Sequence, residues 1–334
     1  MALRLAIFGA TGMVGRELAK VLHKRAFPFE TLRVFASERS AGKQLETPWG
    51  TKTIELADTA DFAEFDLAFF AIGGGWPKKF APLAVAAGCT VIDNSSTFRY
   101  DDNVPLVIPE INAGAIKDAK LIANPNCTTA IAAIPLWEIY TRYGLQKVII
   151  STYQATSGAG NGGMAELEQA TRSALAGEDP GCSVFKHPIA FNLIPHIDSF
   201  QDNQYTREEM KVVWETRKIF GDQTIPVSCT CVRIPTMRAH AESIVVETRD
   251  PVDPAEVREI FMKTSGLVVK DDVANCVYPM PLTASEQFDV EVGRIRRSLI
   301  FGDRGLEFFV CGDQILKGAA LNAVQIGELL LKKD

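Results

Sequence analysis

Three glycines at every third position, Gly9-Ala-Thr-Gly-Met-Val-Gly15, follow directly on a short apolar run, Arg4-Leu-Ala-Ile-Phe8. The pattern reads as a strand, a tight turn and a helix N-terminus, and it commits the start of the chain to a βαβ unit. Such a turn brings backbone N–H groups and the positive end of a helix against an anion, the arrangement that holds a dinucleotide pyrophosphate. The bland alternative is a structural turn. An amphipathic pattern then runs to about His23, and a second strand is expected over Thr31–Ala36. Apolar runs at 66–72, 90–93 and 120–123, with a helix opened by Pro77, continue the alternation. Alternating strands and helices predict a doubly wound parallel sheet.

The character changes after residue 126. Strand-like runs at 148–154, 228–233, 242–248, 287–292 and 307–311 have few crossover helices between them. They predict a mixed or antiparallel sheet in a second domain. Helical patterns cover 164–175 and 207–219, and a glycine-rich loop is expected at Ser157-Gly-Ala-Gly-Asn-Gly-Gly163. The last helical pattern, 317–331, returns to the first domain. The expected division is therefore 1–125 with 315–334, and 126–314.

The 334 residues, 47% hydrophobic and 23% charged, suffice for two domains with proper cores. A net charge of −6 and the lack of any basic tract argue against a nucleic-acid partner. No apolar run approaches about 18 residues, so no membrane association is expected. The start, MALRLAIFGA, lacks the long apolar region of a signal peptide. Seven cysteines, an odd number with no C-x-x-C pair, point to free thiols in a reducing compartment, hence the cytoplasm. Cys229 and Cys231 share one strand face, but with no neighbouring histidine they read as packing and no metal site is expected.

The loop after the second strand, Ser37-Glu-Arg-Ser-Ala-Gly-Lys43, bears on the choice of cofactor. An NAD site usually carries an acidic residue about 20 residues beyond the glycines. Glu38 is available for that role. Ser37, Arg39, Ser40 and Lys43 make a better cradle for a 2′-phosphate, because arginine offers a planar donor fork. NADP is the expected cofactor, held by Gly9, Thr11, Gly12, Met13, Val14 and Gly15 and by Ser37, Arg39 and Ser40. A solvated basic loop is the competing reading.

Cys127 lies between the turn Asn124-Pro-Asn126 and an Ala/Ile-rich helical run. A thiol at a helix N-terminus gains from the dipole, which can lower its pKa to about 3.5–7.5. By itself such a cysteine is more often a packed core residue than a nucleophile.

The neighbours of Cys127 decide between these. Asn124-Pro-Asn-Cys-Thr-Thr129, Ser151-Thr-Tyr-Gln-Ala-Thr-Ser-Gly158, Asp93-Asn-Ser-Ser-Thr-Phe-Arg99, Val107-Ile-Pro-Glu-Ile-Asn112, Arg233-Ile-Pro-Thr-Met-Arg-Ala-His240 and Lys317-Gly-Ala-Ala-Leu-Asn-Ala-Val-Gln-Ile326 recur in order across the chain. Together they resemble the aspartate-β-semialdehyde dehydrogenase family over nearly the whole length. The resemblance implies a Rossmann-type doubly wound parallel sheet plus a mixed α+β catalytic and dimerisation domain, like that of glyceraldehyde-3-phosphate dehydrogenase. It implies NADPH-dependent reductive dephosphorylation of L-aspartyl-4-phosphate to aspartate-4-semialdehyde and phosphate. That step serves the biosynthesis of lysine (through diaminopimelate), methionine and threonine.

By the same resemblance Cys127 is the nucleophile, His240 the acid–base residue and Gln154 the residue orienting the reacting centre. Arg233 would bind the substrate carboxylate. Arg99 and Lys218 would hold phosphate with Asn126 close by, and Glu215 would face the substrate amine. Ser157, Gly158 and Gln314 would lie on the nicotinamide side of NADP. A homodimer or homotetramer is implied.

Each residue also has a plainer reading. His240, between two alanines, reads as a core histidine. Glu215 and Lys218 read as a surface ion pair, Arg99 and Arg233 as surface arginines, and Gln154 as an edge-strand polar residue. Two departures from the family pattern stand out: Gly73-Gly-Gly-Trp-Pro77 where many relatives have a serine-containing turn, and Gln314 where asparagine is common. N-acetyl-glutamyl-phosphate reductase shares the chemistry, but its cysteine normally sits in Asn-Pro-Gly-Cys-Tyr. A silent NADP-binding redox sensor is the reading from outside the enzymes.

Overall fold

The computed structural model describes residues 3–331. The chain divides into two compact units. One runs to Asn126 and resumes at Ala319; the other is Cys127–Gly318.

In the first unit, β1 (Arg4–Phe8) leads into α1 (Met13–Lys24) and then β2 (Thr31–Ala36). A hairpin of β3 (Gln44–Thr47) and β4 (Gly50–Thr53), which the sequence pattern did not indicate, precedes the two-residue β5 (Glu55–Leu56). There follow β6 (Leu67–Phe70), α2 (Trp76–Ala86), β7 (Thr90–Asp93), the short α3 (Pro109–Asn112) and β8 (Leu121–Ala123). The sheet order is β5-β2-β1-β6-β7-β8, and every pairing is parallel. Its central strands are apolar throughout because both faces of a parallel sheet are covered.

The register aligns Phe35, Phe8 and Phe70 on adjacent strands. Phe8 stacks on Phe35 at 4.5 Å and meets Phe70 edge-on at 5.1 Å. Trp76, stacked on Phe80 at 4.5 Å, extends this aromatic cluster across α2. Cross-strand aromatic pairs of this kind add about 0.5–1.5 kcal/mol each beyond their buried area.

The second unit opens with α4 (Cys127–Tyr143) and β9 (Leu145–Gln154). The segment expected as a glycine-rich loop is instead a 3₁₀ turn, Thr156–Ala159, followed by the first turn of α5 (Gly160–Leu175). Close packing explains the difference: a Cβ on Gly163 would stand 2.4 Å from the Thr156 carbonyl oxygen. After an irregular stretch, 176–206, comes α6 (Arg207–Phe220), which is closed at both ends. Thr206 and Glu209 form a reciprocal capping box at its start, and Gly221 takes φ +68° at its end.

Then come β10 (Val227–Arg233), β11 (His240–Thr248), α7 (Pro254–Lys263), β12 (Leu267–Val269), the short α8 (Pro281–Ala284), β13 (Val290–Arg297) and β14 (Gly305–Gly312). The sheet is mixed: order β10-β9-β11-β14-β13-β12, parallel at its two edge pairs and antiparallel between. One face, carrying Val148, Ile150, Ile244, Val246 and Phe308, is buried; the other carries Ile149, Ser151, Val245 and Phe309 and is partly exposed. A single π-helical turn at Leu316–Ala320 leads to α9 (Leu321–Leu331), which packs on α1 within the first unit. No helix among the described residues is long and apolar enough to cross a membrane.

Candidate active site

In the first unit the glycine turn has no room for side chains. Gly9 adopts φ +88°, and a Cβ there would lie 2.5 Å from the Ala71 carbonyl oxygen. At Gly15 a Cβ would meet the Gly9 oxygen at 2.2 Å, so α1 can approach β1 this closely only with glycine. Gly12 is the N-cap of α1, makes no side-chain cap, and no acidic residue occupies the first turn. The N–H groups at this helix end are thus left for an anionic ligand, with Thr11, Met13 and Val14 around them. Beyond β2 the turn Ser37–Ser40 closes through Ser40 N–H to Ser37 O at 2.8 Å, and Arg39 is exposed beside it. The cradle and the exposed cation fit a pyrophosphate and a 2′-phosphate.

The same unit holds Arg99 and Asn126. Arg99 is not on the surface: it is buried, and its Nη2 donates to Asn94 O at 2.8 Å. Asp93 braces that loop by accepting Ser95 N–H at 2.9 Å and Ser95 Oγ–H at 2.7 Å. Burial pushes the Asp93 carboxyl up, against the opposing effects of Ser95 and Arg99. Asn124, just ahead of Asn126, donates to Asn94 Oδ1 at 3.0 Å and accepts from Asn322 of α9 at 2.7 Å. The Asn-Pro-Asn turn is therefore clamped from two elements.

In the second unit Cys127 is the first residue of α4 and is partly exposed. Gly318 lies against it, close enough that a Cβ there would stand 2.6 Å from Cys127 Cβ. The ends of three adjacent strands supply the other groups. Arg233 of β10 is in register with Gln154 of β9, and Tyr153 is opposite Ala241, the neighbour of His240. All three side chains lie on the buried face, so the plainer surface and edge readings of Arg233 and Gln154 do not hold.

His240 is fully buried, and its Nδ1 accepts the Ala155 N–H at 3.1 Å. An Nδ1 that accepts places the remaining ring proton on Nε2. Nε2 has no hydrogen-bond partner among the described residues. Burial first, and then the Arg233 charge, push the imidazole down to about 3, with Glu208 opposing. The resting ring is a neutral Nε2–H donor.

Arg233 donates to Ala155 O, and burial lowers its hold on its proton while Glu208 opposes that effect. Its guanidinium borders a cavity of about 540 Å³ lined also by Phe185, Ile194, His196 and Phe200, and lies within electrostatic reach of Cys127. Gly158 sits between Arg233 and His240: a Cβ there would be 2.7 Å from Arg233 Nη1 and 3.3 Å from His240 Nε2. Glu215 is fully buried on α6, three residues before Lys218, so an exposed ion pair does not describe it.

Gln314 is buried with both amide ends engaged: Oε1 accepts the Ala239 N–H at 2.8 Å, and Nε2 donates to Ser157 Oγ. Ala239 takes φ +67°, unusual for alanine, directly before His240. The loop is pinned by Arg238, which pairs with the buried Asp313. Asp313 also accepts the Glu286, Ile315 and Leu316 N–H groups at 2.7, 2.9 and 3.1 Å.

Sequence reasoning did not find Arg238, Asp313, Gly318, Glu208 or Glu242. For Glu242 a signal existed. Strand alternation puts it on the side of His240, Ile244 and Val246, a carboxylate among apolar residues. It is fully buried, neither oxygen has a hydrogen-bond partner among the described residues, and burial raises its pKa well above the ordinary value.

Comparison with known proteins gives this arrangement a lineage. Residues 4–119 match the model of the semialdehyde dehydrogenase NAD binding domain, and residues 136–317 that of the semialdehyde dehydrogenase dimerisation domain. The chain belongs to the semialdehyde dehydrogenase family. It is 46% identical to the aspartate-semialdehyde dehydrogenase of Aquifex aeolicus, covering 100% of this chain and 99% of that one. Against the aspartate-semialdehyde dehydrogenase of Synechocystis it is 42% identical, over 99% and 98% of the two chains. Among solved structures, aspartate semialdehyde dehydrogenase II of Vibrio cholerae, complexed with ASA, superposes with a TM-score of 0.96 at 42% identity, over 99% of each chain.

Proposed function

We propose that this chain reduces L-aspartyl-4-phosphate to L-aspartate-4-semialdehyde with release of phosphate, through a thioester on Cys127. Full-length relatives named for this activity support the reading. The observation that carries it is the row of Arg233, Gln154 and His240 at one sheet end, with a His240 Nε2 that has no hydrogen-bond partner among the described residues.

The Cys127 thiolate attacks the acyl carbon, the carbon–oxygen bond to phosphate breaks, and a thioester remains. NADPH, when bound, supplies the hydride for the reduction of that thioester; the Gly9–Gly15 turn and Ser37, Arg39 and Ser40 would hold it. The oxygen of the resulting thiohemiacetal needs a donor. The His240 Nε2–H answers that need first as a hydrogen bond. Arg233 binds the substrate carboxylate, which neutralises the charge that depresses His240. The bias of the ring against its imidazolium form is then smaller. Gln154 orients the reacting carbonyl, and Gly158 excludes any side chain from the space between Arg233 and His240. Arg99, Lys218 and Asn126 serve the phosphate, and Glu215 the ammonium.

The first unit binds cofactor, and the second carries catalysis and the dimer contact. A homodimer forms through the partly exposed sheet face of Ile149, Tyr153, Val245 and Phe309, in line with the dimerisation-domain match. The lack of disulfides among the described residues suits a reducing cytoplasm.

The test is turnover of aspartate semialdehyde with phosphate and NADP, followed by absorbance of the reduced cofactor. N-acetyl-glutamate semialdehyde is run in parallel. Reduction of NADP with the first substrate alone is the expected result. Turnover of the second alone would reassign the enzyme to N-acetyl-glutamyl-phosphate reduction, and cofactor binding without turnover would favour a redox sensor.

A further inference from the structure

The amide of Gln154 is gripped at both ends. Its Oε1 accepts from the Thr152 hydroxyl at 3.0 Å, and its Nε2 donates to Glu208 Oε1 at 3.2 Å. Thr152 Oγ1 in turn accepts the Val232 N–H at 3.3 Å, which leaves its own proton for Gln154. The opposite oxygen of Glu208 accepts a hydrogen bond from Lys211 Nζ at 3.0 Å, and Lys211 is also held by Asp198 at 2.7 Å. Glu208 is 6% exposed, at the start of α6. The helix is anchored there because Glu209, the capping residue, also accepts the Cys231 N–H at 2.9 Å.

This wiring has a chemical consequence. An ionised carboxylate accepts and never donates. Facing Glu208, the amide can present only its nitrogen; a flipped amide would set oxygen against oxygen in a buried, low-dielectric site. With one N–H spent on Glu208, a single N–H of Gln154 remains.

We propose that Glu208 is a positioning residue for the reaction. It fixes the amide orientation of Gln154, so that one N–H stays available to the carbonyl at the reacting centre. The inference rests on Gln154 acting as the orienting group of the proposed reaction.

The Glu208→Gln variant keeps the size of the side chain but can both donate and accept, so both amide orientations become accessible. Loss of one donor to a developing oxyanion costs about 10²- to 10³-fold in kcat. Partial misorientation should cost less, about tenfold, with KM for aspartate semialdehyde within about twofold of wild type. The decisive readout is a double-mutant cycle with Gln154→Ala. If Glu208 acts through Gln154, E208Q changes kcat by less than about twofold once the amide is gone. Glu208→Asp, which still only accepts, should retain more activity than E208Q. Thermal unfolding of each variant separates lost folding from lost positioning.

An equal loss from E208Q in both backgrounds would overturn the proposal, as would wild-type kcat in E208Q. Full kcat in Gln154→Ala would instead bring down the role of Gln154, and this inference with it. The absence of wild-type turnover would fault the proposed reaction itself.

Discussion

His240 and Glu242 sit two residues apart on one strand face and are buried with opposite consequences. The imidazole is pushed down to about 3 from an ordinary 6.5, so the folded state favours its neutral form. That preference is fully present above about pH 6.5 and is lost as pH falls towards about 3. His240→Asn should therefore lose less stability than wild type over that acid window, as read by urea unfolding at stepped pH. An equal slope in the two proteins would refute the neutral state assigned to His240. Glu242 runs the other way. Its raised pKa means that stability is lost as pH climbs above about 4.5, where the unfolded carboxyl ionises and the buried one resists. Replacing it by methionine removes a buried, unpartnered acid of similar length. The variant should gain about 1–3 kcal/mol at pH 8, and less at pH 5. A loss of stability at pH 8 would show that the acid has a partner.

At the scale of elements, the glycine turn and the helix it opens depend on backbone approach. Gly15→Ala places a methyl 2.2 Å from the Gly9 oxygen, a contact that only a shift of α1 relieves. Overpacking of this kind costs about 1–3 kcal/mol. The variant should also lose NADP binding in a fluorescence titration, since the N–H groups of α1 move with the helix. Unchanged affinity would contradict the cradle. Elements dictated by local chemistry were legible in the sequence. Strand β2 falls on Thr31–Ala36 and β7 on Thr90–Asp93, both apolar runs bounded by turn residues. Helix α6 starts at Arg207 because Thr206 and Glu209 cap it. The glycine-rich segment misled, because Gly163 is glycine to permit packing against Thr156 rather than to loosen a loop. The β3–β4 hairpin and β12 are too short to impose a period on the sequence.

For the molecule as a whole, residues far apart in the chain had to be brought together, and no spacing in the sequence announces that. Glu208 meets Gln154 across 54 positions, and Asp313 meets Arg238 across 75. Family resemblance pointed to Gln154 and His240 themselves, whereas the residues bracing them came only from the fold. The proposed dimer also belongs to this scale. Ile149→Asp puts a charge on the partly exposed sheet face, where Ile149 is 45% exposed in the single chain. Sedimentation should show the mass of a dimer for wild type and a shift to monomer for the variant. A variant that stays dimeric would place the contact elsewhere.

The central claim is that Cys127 carries the acyl group between the departure of phosphate and reduction. It is tested most directly by mixing the protein with aspartyl phosphate in the absence of NADPH and measuring the intact and peptide masses. The account predicts one aspartyl group on the peptide containing Cys127 and none in Cys127→Ser. An unmodified cysteine in a protein that turns over when NADPH is added would contradict it.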